Sequence, residues 1–169
     1  MNNESMHWLE QLLEISPFDW ASIGTAVFCG TAIGLERQLR GKPVGIRTSS
    51  LIVLGTYLFL ATAFNLQSDL VDPSRVIGQV ITGVGFLGAG VMLTKKGSVI
   101  GVTSASAIWA LAALGTLVAA GHLTPAIKLT LLIVLILYGV DLLEEHFFNL
   151  TKGVHARVKK RFSPDKFPD

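Results

Sequence analysis

Apolar residues run almost unbroken through five stretches of the chain, 20–35, 48–66, 76–93, 103–120 and 125–143, and polar residues collect between them. No Asp, Glu, Lys or Arg lies between 48 and 67, between 76 and 94, or between 97 and 127. Spans of that length match the ~30 Å hydrocarbon core of a bilayer, which about 20 helical residues cross. A barrel strand would alternate polar and apolar positions, whereas LIVLGTYLFLA and LTLLIVLILYG are continuously apolar. In lipid, such a run satisfies its own backbone only as a helix. The expected fold is all-α: a multi-pass membrane domain of five transmembrane helices over 20–143, preceded by a segment 1–19 and followed by a basic tail 144–169.

The faces of these helices differ. In the third, Gly78, Thr82, Gly85 and Ala89 share one arc, adjoined by Gln79, Gly83 and Gly90, while Ile77, Val80, Ile81, Val84, Leu87 and Val91 share the other. The first carries Ala26, Gly30 and Gly34, the latter two a G-x-x-x-G, and the fourth is rich in Ser and Ala around Gly115. Small faces let backbones approach closely in membranes. Helices one, three and four are therefore expected to form the tight centre, within one subunit or across a dimer. Helix five, nearly all Leu, Ile and Val from 129 to 137, is expected at the lipid-facing edge. Before the first span, Trp8, Leu9, Leu12 and Leu13 face away from Glu10, Gln11 and Glu14, as in an interfacial helix or an extension of helix one broken at Pro17.

Charge adds an orientation. Of 14 Lys and Arg, Arg37, Arg40, Lys42 and Arg47 fall in the first connection, Lys95 and Lys96 in the third, and Lys152, Arg157, Lys159, Lys160, Arg161 and Lys166 in the tail. Alternate connections thus carry all but Arg75 and Lys128, and the positive-inside rule places the N-terminus outside and the C-terminus in the cytoplasm. The first 19 residues lack the basic start of a cleavable signal. Composition agrees with a membrane class, with 50% apolar and 15% charged residues and a mean hydropathy of +0.55. The tail explains itself as a topological anchor on anionic lipid, so no nucleic-acid role is expected.

Candidate chemistry is sparse. The G-x-G-x-x-G at Gly83, Gly85 and Gly88 has the spacing of a dinucleotide-binding turn, but no strand precedes it and the next acidic residue, Asp141, lies 53 positions beyond Gly88. Helix contact explains these glycines better. Arg37, Arg40, Lys42 and Arg47 either bind phosphate or carboxylate groups or serve as a topological anchor, pairing with Glu36 and Asp141. Asp141 either points inward to a cation or faces water near the end of helix five. Gln79, one turn beyond Arg75 on the same face, either links helices or touches a substrate. A single carboxylate within the spans makes no magnesium site, so no metal and no cofactor are expected. His7, His122, His146 and His155 all fall outside the expected spans, and no catalytic set is evident.

Three blocks in register, GLERQLRGKPVGIRT, RVIGQVITGVGFLGAGVML and GVTSASAIWALAALGTLVAAG, resemble the MgtC/SapB family of bacterial inner-membrane proteins. The family's motif positions fall on Glu36, Arg37, Gly45, Arg47 and Thr48; on Arg75, Gln79, Gly83, Gly85, Phe86, Gly88 and Gly90; and on Thr103, Trp109 and Gly115. The resemblance implies a five-helix domain associated with magnesium limitation and, in pathogens, with life inside macrophages. Its best-known member restrains the proton-translocating ATP synthase. Where many members have His or Asn, this chain has Ser49 and Ser50, and only about 26 residues follow Leu143, where many relatives continue into a soluble domain. The function expected is a non-enzymatic membrane regulator that contacts lipid, itself as a homo-oligomer, or a membrane protein such as ATP synthase. The alternative is a small oligomeric magnesium or proton transporter.

Overall fold

The structure is a computed structural model in which residues 14–66, 72–95 and 98–146 are described. The Trp8 stripe, most of the second connection, Lys96 and the basic tail lie outside them. Among the described residues there are five helices: α1 (Trp20–Leu39), α2 (Ile46–Asn65), α3 (Pro73–Gly90), α4 (Val102–Ala119) and α5 (Leu123–His146). Their starts follow from local chemistry. Asp19 accepts the Ser22 amide at 2.7 Å to cap α1, and Asp72 accepts the Ser74 amide at 2.9 Å to cap α3, with Pro73 in its first turn.

Three expectations about element bounds need correcting. The 94–102 connection is not a plain loop but an antiparallel hairpin, β1 (Leu93–Lys95) and β2 (Ser98–Ile100), in register Leu93 with Ile100. Gly101 joins it to α4 at φ +91°, and a Cβ there would strike the Val91 carbonyl, so this sharp junction requires glycine. Helix one also does not stop at 35 but continues to Leu39, carrying Glu36 and Arg37 within it. His146, expected beyond the fifth helix, is its last residue.

The centre of the bundle is α1, α2 and α4 rather than one, three and four. Ile33 and Cys29 of α1, Val53 and Leu60 of α2, and Ile108, Leu111 and Leu114 of α4 make the buried interior. The glycines of α1 and α4 both pack on α2. A Cβ at Gly34 would sit 2.6 Å from Ile46 Cα, and one at Gly115 would sit 2.6 Å from the Val53 carbonyl. In α3 only Val84 and Gly88 are buried. The α2 surface that receives the glycines of α1 and α4 is itself built of Ser49, Ser50, Val53 and Thr56, so the backbones approach closely there. Helix α5 runs along the edge, with Leu131, Leu135 and Ile136 exposed.

Among the described residues, three helices are long and apolar enough to cross a membrane: Ile46–Asn65, Val102–Ala119 and the Leu123–Val140 part of α5. The ionic pair of positions at the end of α1, and the five glycines with Arg75 and Gln79 in α3, make those two helices more polar. Hydroxyls inside the bundle are satisfied locally. Thr116 and Thr130, for example, donate to the carbonyls four residues back, at 3.0 and 2.8 Å, which spares an orphan donor in an apolar medium.

Candidate functional site

The C-terminal end of α1 is the polar centre of the structure. Arg37, only 3% exposed, donates through Nη2 to the Ser104 hydroxyl at the start of α4 and through Nε to the Pro43 carbonyl at 3.3 Å. One side chain thereby ties α1, the first connection and α4 together. One turn on, Arg40 pairs through Nε with Glu36 Oε1 at 3.1 Å, lies 4.7 Å from the Tyr138 ring centroid, and donates to the Tyr138 carbonyl at 3.4 Å. These contacts fasten α1 to α5. Glu36 Oε2 is buried without a hydrogen-bond partner among the described residues, a costly arrangement for a carboxylate oxygen.

The short connection is held in a strained corner. Val44, buried, adopts φ 68°, a region where β-branched residues are rare, and the Ser49 hydroxyl grips its carbonyl at 3.1 Å. Gly45 precedes α2 as its cap residue, and the Gln38 amide oxygen accepts the Ile46 N–H at 3.4 Å. Beside this corner lies a recess of about 520 Å³ bounded by Arg37, Lys42, Thr103, Ser104, the hairpin and α5.

A second feature is an apolar groove of about 620 Å³ between α2 and α3. Thr48, Thr56 and Gln79 are its polar lining, with Gly55 and Gly83 in its walls. The α3 face beside it is open: a Cβ at Gly78, Gly83, Gly85 or Gly90 meets nothing within 4 Å, whereas one at Gly88 reaches Ala105 at 3.6 Å. Phe86 is 81% exposed on the same helix. Trp109, half-exposed on α4, lines a smaller recess of about 380 Å³ on the other side of α3, with Val80 and Thr116.

The motif residues therefore separate into groups. Glu36 and Arg37 meet at the α1 end, with Thr103 at the recess; Thr48 and Gln79 share the groove; Trp109 stands apart. Arg47 and Arg75 are exposed. Asp141 is on α5, and its side chain lies outside the described residues. Sequence reasoning missed Ser104, Gln38 and Tyr138 as partners. The i, i+4 spacing of Glu36 and Arg40 was the one readable signal; the Arg37 to Ser104 link spans 67 positions and leaves no local trace. Among the described residues no group of His, Cys, Asp and Glu is placed to hold a metal. Asp19 and Asp72 titrate below the ordinary carboxylate value because Ser22 and Ser74, respectively, hydrogen-bond them. They are helix caps rather than parts of either site.

Comparison with known proteins is decisive for the family. The profile of the MgtC family matches residues 23–146, which takes in all five helices. The chain belongs to the MgtC family. It is 46% identical over 97 residues to YhiD of Escherichia coli (strain K12), provisionally named as a magnesium transporter, covering 53% of this chain and 45% of that one. It is 38% identical over 109 residues to SapB of Bacillus subtilis (strain 168), covering 60% and 47%. To MgtC of Salmonella paratyphi A (strain ATCC 9150 / SARB42) it is 34% identical over 138 residues, covering 81% and 58%. The chain spans about half the length of these curated relatives. No solved structure gives a significant match. The MgtC-family match covers both the Arg37 cluster and the α2–α3 groove.

Proposed function

We propose that this MgtC-family protein is a non-enzymatic regulator in the bacterial inner membrane, acting in magnesium limitation or membrane-energy balance by docking another transmembrane helix on α3. The carrying observation is the open glycine face of α3 beside the α2–α3 groove. In lipid, close backbone approach is a main source of helix association, and this face has no partner among the described residues. The occupant is a helix of a second copy or of a membrane protein, an ATP-synthase subunit being the one the family resemblance suggests. In this reading all five helices span the membrane, with the N-terminus outside and the basic connections in the cytoplasm.

Disulfide crosslinking tests it, because the native Cys29 is buried and contributes little background. Gly85→Cys in native membranes should give a specific adduct, and Gly85→Leu should abolish the assembly; absence of any adduct, with assembly unchanged in the leucine variant, overturns the reading. A transport reading is favoured by one observation, the Gln79 amide with the Thr48 and Thr56 hydroxyls lining a mostly apolar groove. Purified protein in liposomes separates the two: magnesium or proton flux that disappears in Gln79→Leu would replace the regulator with a transporter.

A further inference from the structure

We propose that the recess beside Arg37 binds a phosphate-bearing anion with an apolar substituent. Its volume of about 520 Å³ lies within the range of small-molecule sites and exceeds what an inorganic phosphate would fill. The lining is divided by chemistry. Arg37, Lys42, Thr103 and Ser104 gather at one corner, whereas Ile136 and Val140 of α5 and Leu93 of the hairpin make apolar walls. Such a division suits an amphiphile, with its charge in the corner and its carbon skeleton along the walls.

The sign of the ligand follows from the corner. Arg37 keeps its contacts to Pro43 and Ser104, so it supplies a fixed positive charge to the floor rather than a vacant fork. Lys42 is exposed at the rim and makes no ion pair among the described residues. Thr103 offers a hydroxyl, and the positive end of α4 adds a field of the same sign. A point ammonium and a hydroxyl lining the same recess, beside a guanidinium already engaged, match a tetrahedral oxyanion better than a planar carboxylate. Two sources carry that chemistry, a phospholipid headgroup and a soluble phosphate ester.

Delipidated protein in detergent, titrated by native mass spectrometry, distinguishes them. One arm uses phosphatidylglycerol against phosphatidylcholine, and the other uses hexyl phosphate, a soluble phosphate ester with an apolar chain. The wild type should bind a first phosphatidylglycerol about ten-fold more tightly than the double variant Lys42→Gln/Thr103→Val, the order of one charge-assisted hydrogen bond. Phosphatidylcholine should show no such difference, and Lys128→Gln, a cation lost from the opposite end of α5, should leave binding unchanged. Both substituted residues are exposed, so the double variant should melt with the wild type. If hexyl phosphate binds with the same dependence and displaces the lipid, the source is soluble. Equal binding of both lipids, or equal binding by wild type and double variant in both arms, overturns the proposal.

Discussion

Replacing Gly34 by alanine should push α1 and α2 apart, whereas the same change at Gly85 should leave the single chain undisturbed. The new methyl at Gly34 would lie 2.6 Å from Ile46 Cα and 2.8 Å from Ile46 N, where ordinary contact begins at 3.4 Å. The helices must therefore separate by about 0.8 Å at that level, and the obstacle is backbone, which cannot swing aside as a long side chain would. Overpacking of this kind costs about 1–3 kcal/mol. A backbone obstacle takes the upper part of that range, about 2–3 kcal/mol, and the gain in helix propensity from glycine to alanine offsets up to about 1 kcal/mol, leaving a net loss of about 1–2 kcal/mol. At Gly85 no atom lies within 4 Å, so only the propensity gain remains. Unfolding of the purified variants in rising SDS, followed by circular dichroism, reads both changes. A Gly34→Ala protein that unfolds with the wild type would refute the close approach of α1 and α2. The Gly85→Ala protein carries a second readout: if α3 docks a partner helix, its subunit stability holds while its crosslinked assembly weakens.

Ser104→Ala removes the hydroxyl that receives Arg37 in a buried setting, and should cost about 1.5–3 kcal/mol, with Ser104→Thr recovering part of it in the same unfolding assay. Arg40→Ala leaves Glu36, 8% exposed, with neither oxygen paired among the described residues. A loss of about 2 kcal/mol is expected, below the value for fully buried pairs because Arg40 itself is partly exposed, and the added Glu36→Gln change should restore much of it. Asp19→Ala should cost about 1 kcal/mol as a lost helix cap. Because hydrogen bonding lowers the Asp19 pKa below 3.8, the cap's contribution is present above that value and fades as pH falls through the lower folded value, so the difference between wild type and Asp19→Ala should close in melts taken at progressively acid pH.

Long apolar runs made the helices legible, and uniform aliphatic composition placed α5 at the edge. Helix ends were less legible. The charges of Glu36 and Arg37 argued for a loop after 35, yet their burial and pairing carry α1 to Leu39, a tertiary effect that local composition does not encode. The hairpin was invisible because strands of three residues are too short to show alternation. Small residues announced that backbones approach closely without naming the partner. Gly30, Gly34 and Gly115 all meet α2, whose Ser49, Val53 and Thr56 carry no comparable signal, while the most glycine-rich helix leaves most of its small face open. At the Arg37 site, the charged residues stood out and their uncharged partners, Ser104 and Pro43, did not.

The 67 positions between Arg37 and Ser104 also set an order of events during synthesis. At about 5–20 residues per second, the serine emerges roughly 3–13 s after the arginine. Throughout that interval Arg37 has the Pro43 carbonyl, six residues on, within reach, but its link to α4 has not been made. Completion of α4 then adds a tie to a corner that the Pro43 carbonyl and the close packing of α1 on α2 hold earlier, and a nascent chain halted before residue 104 would lack the Arg37 link to α4.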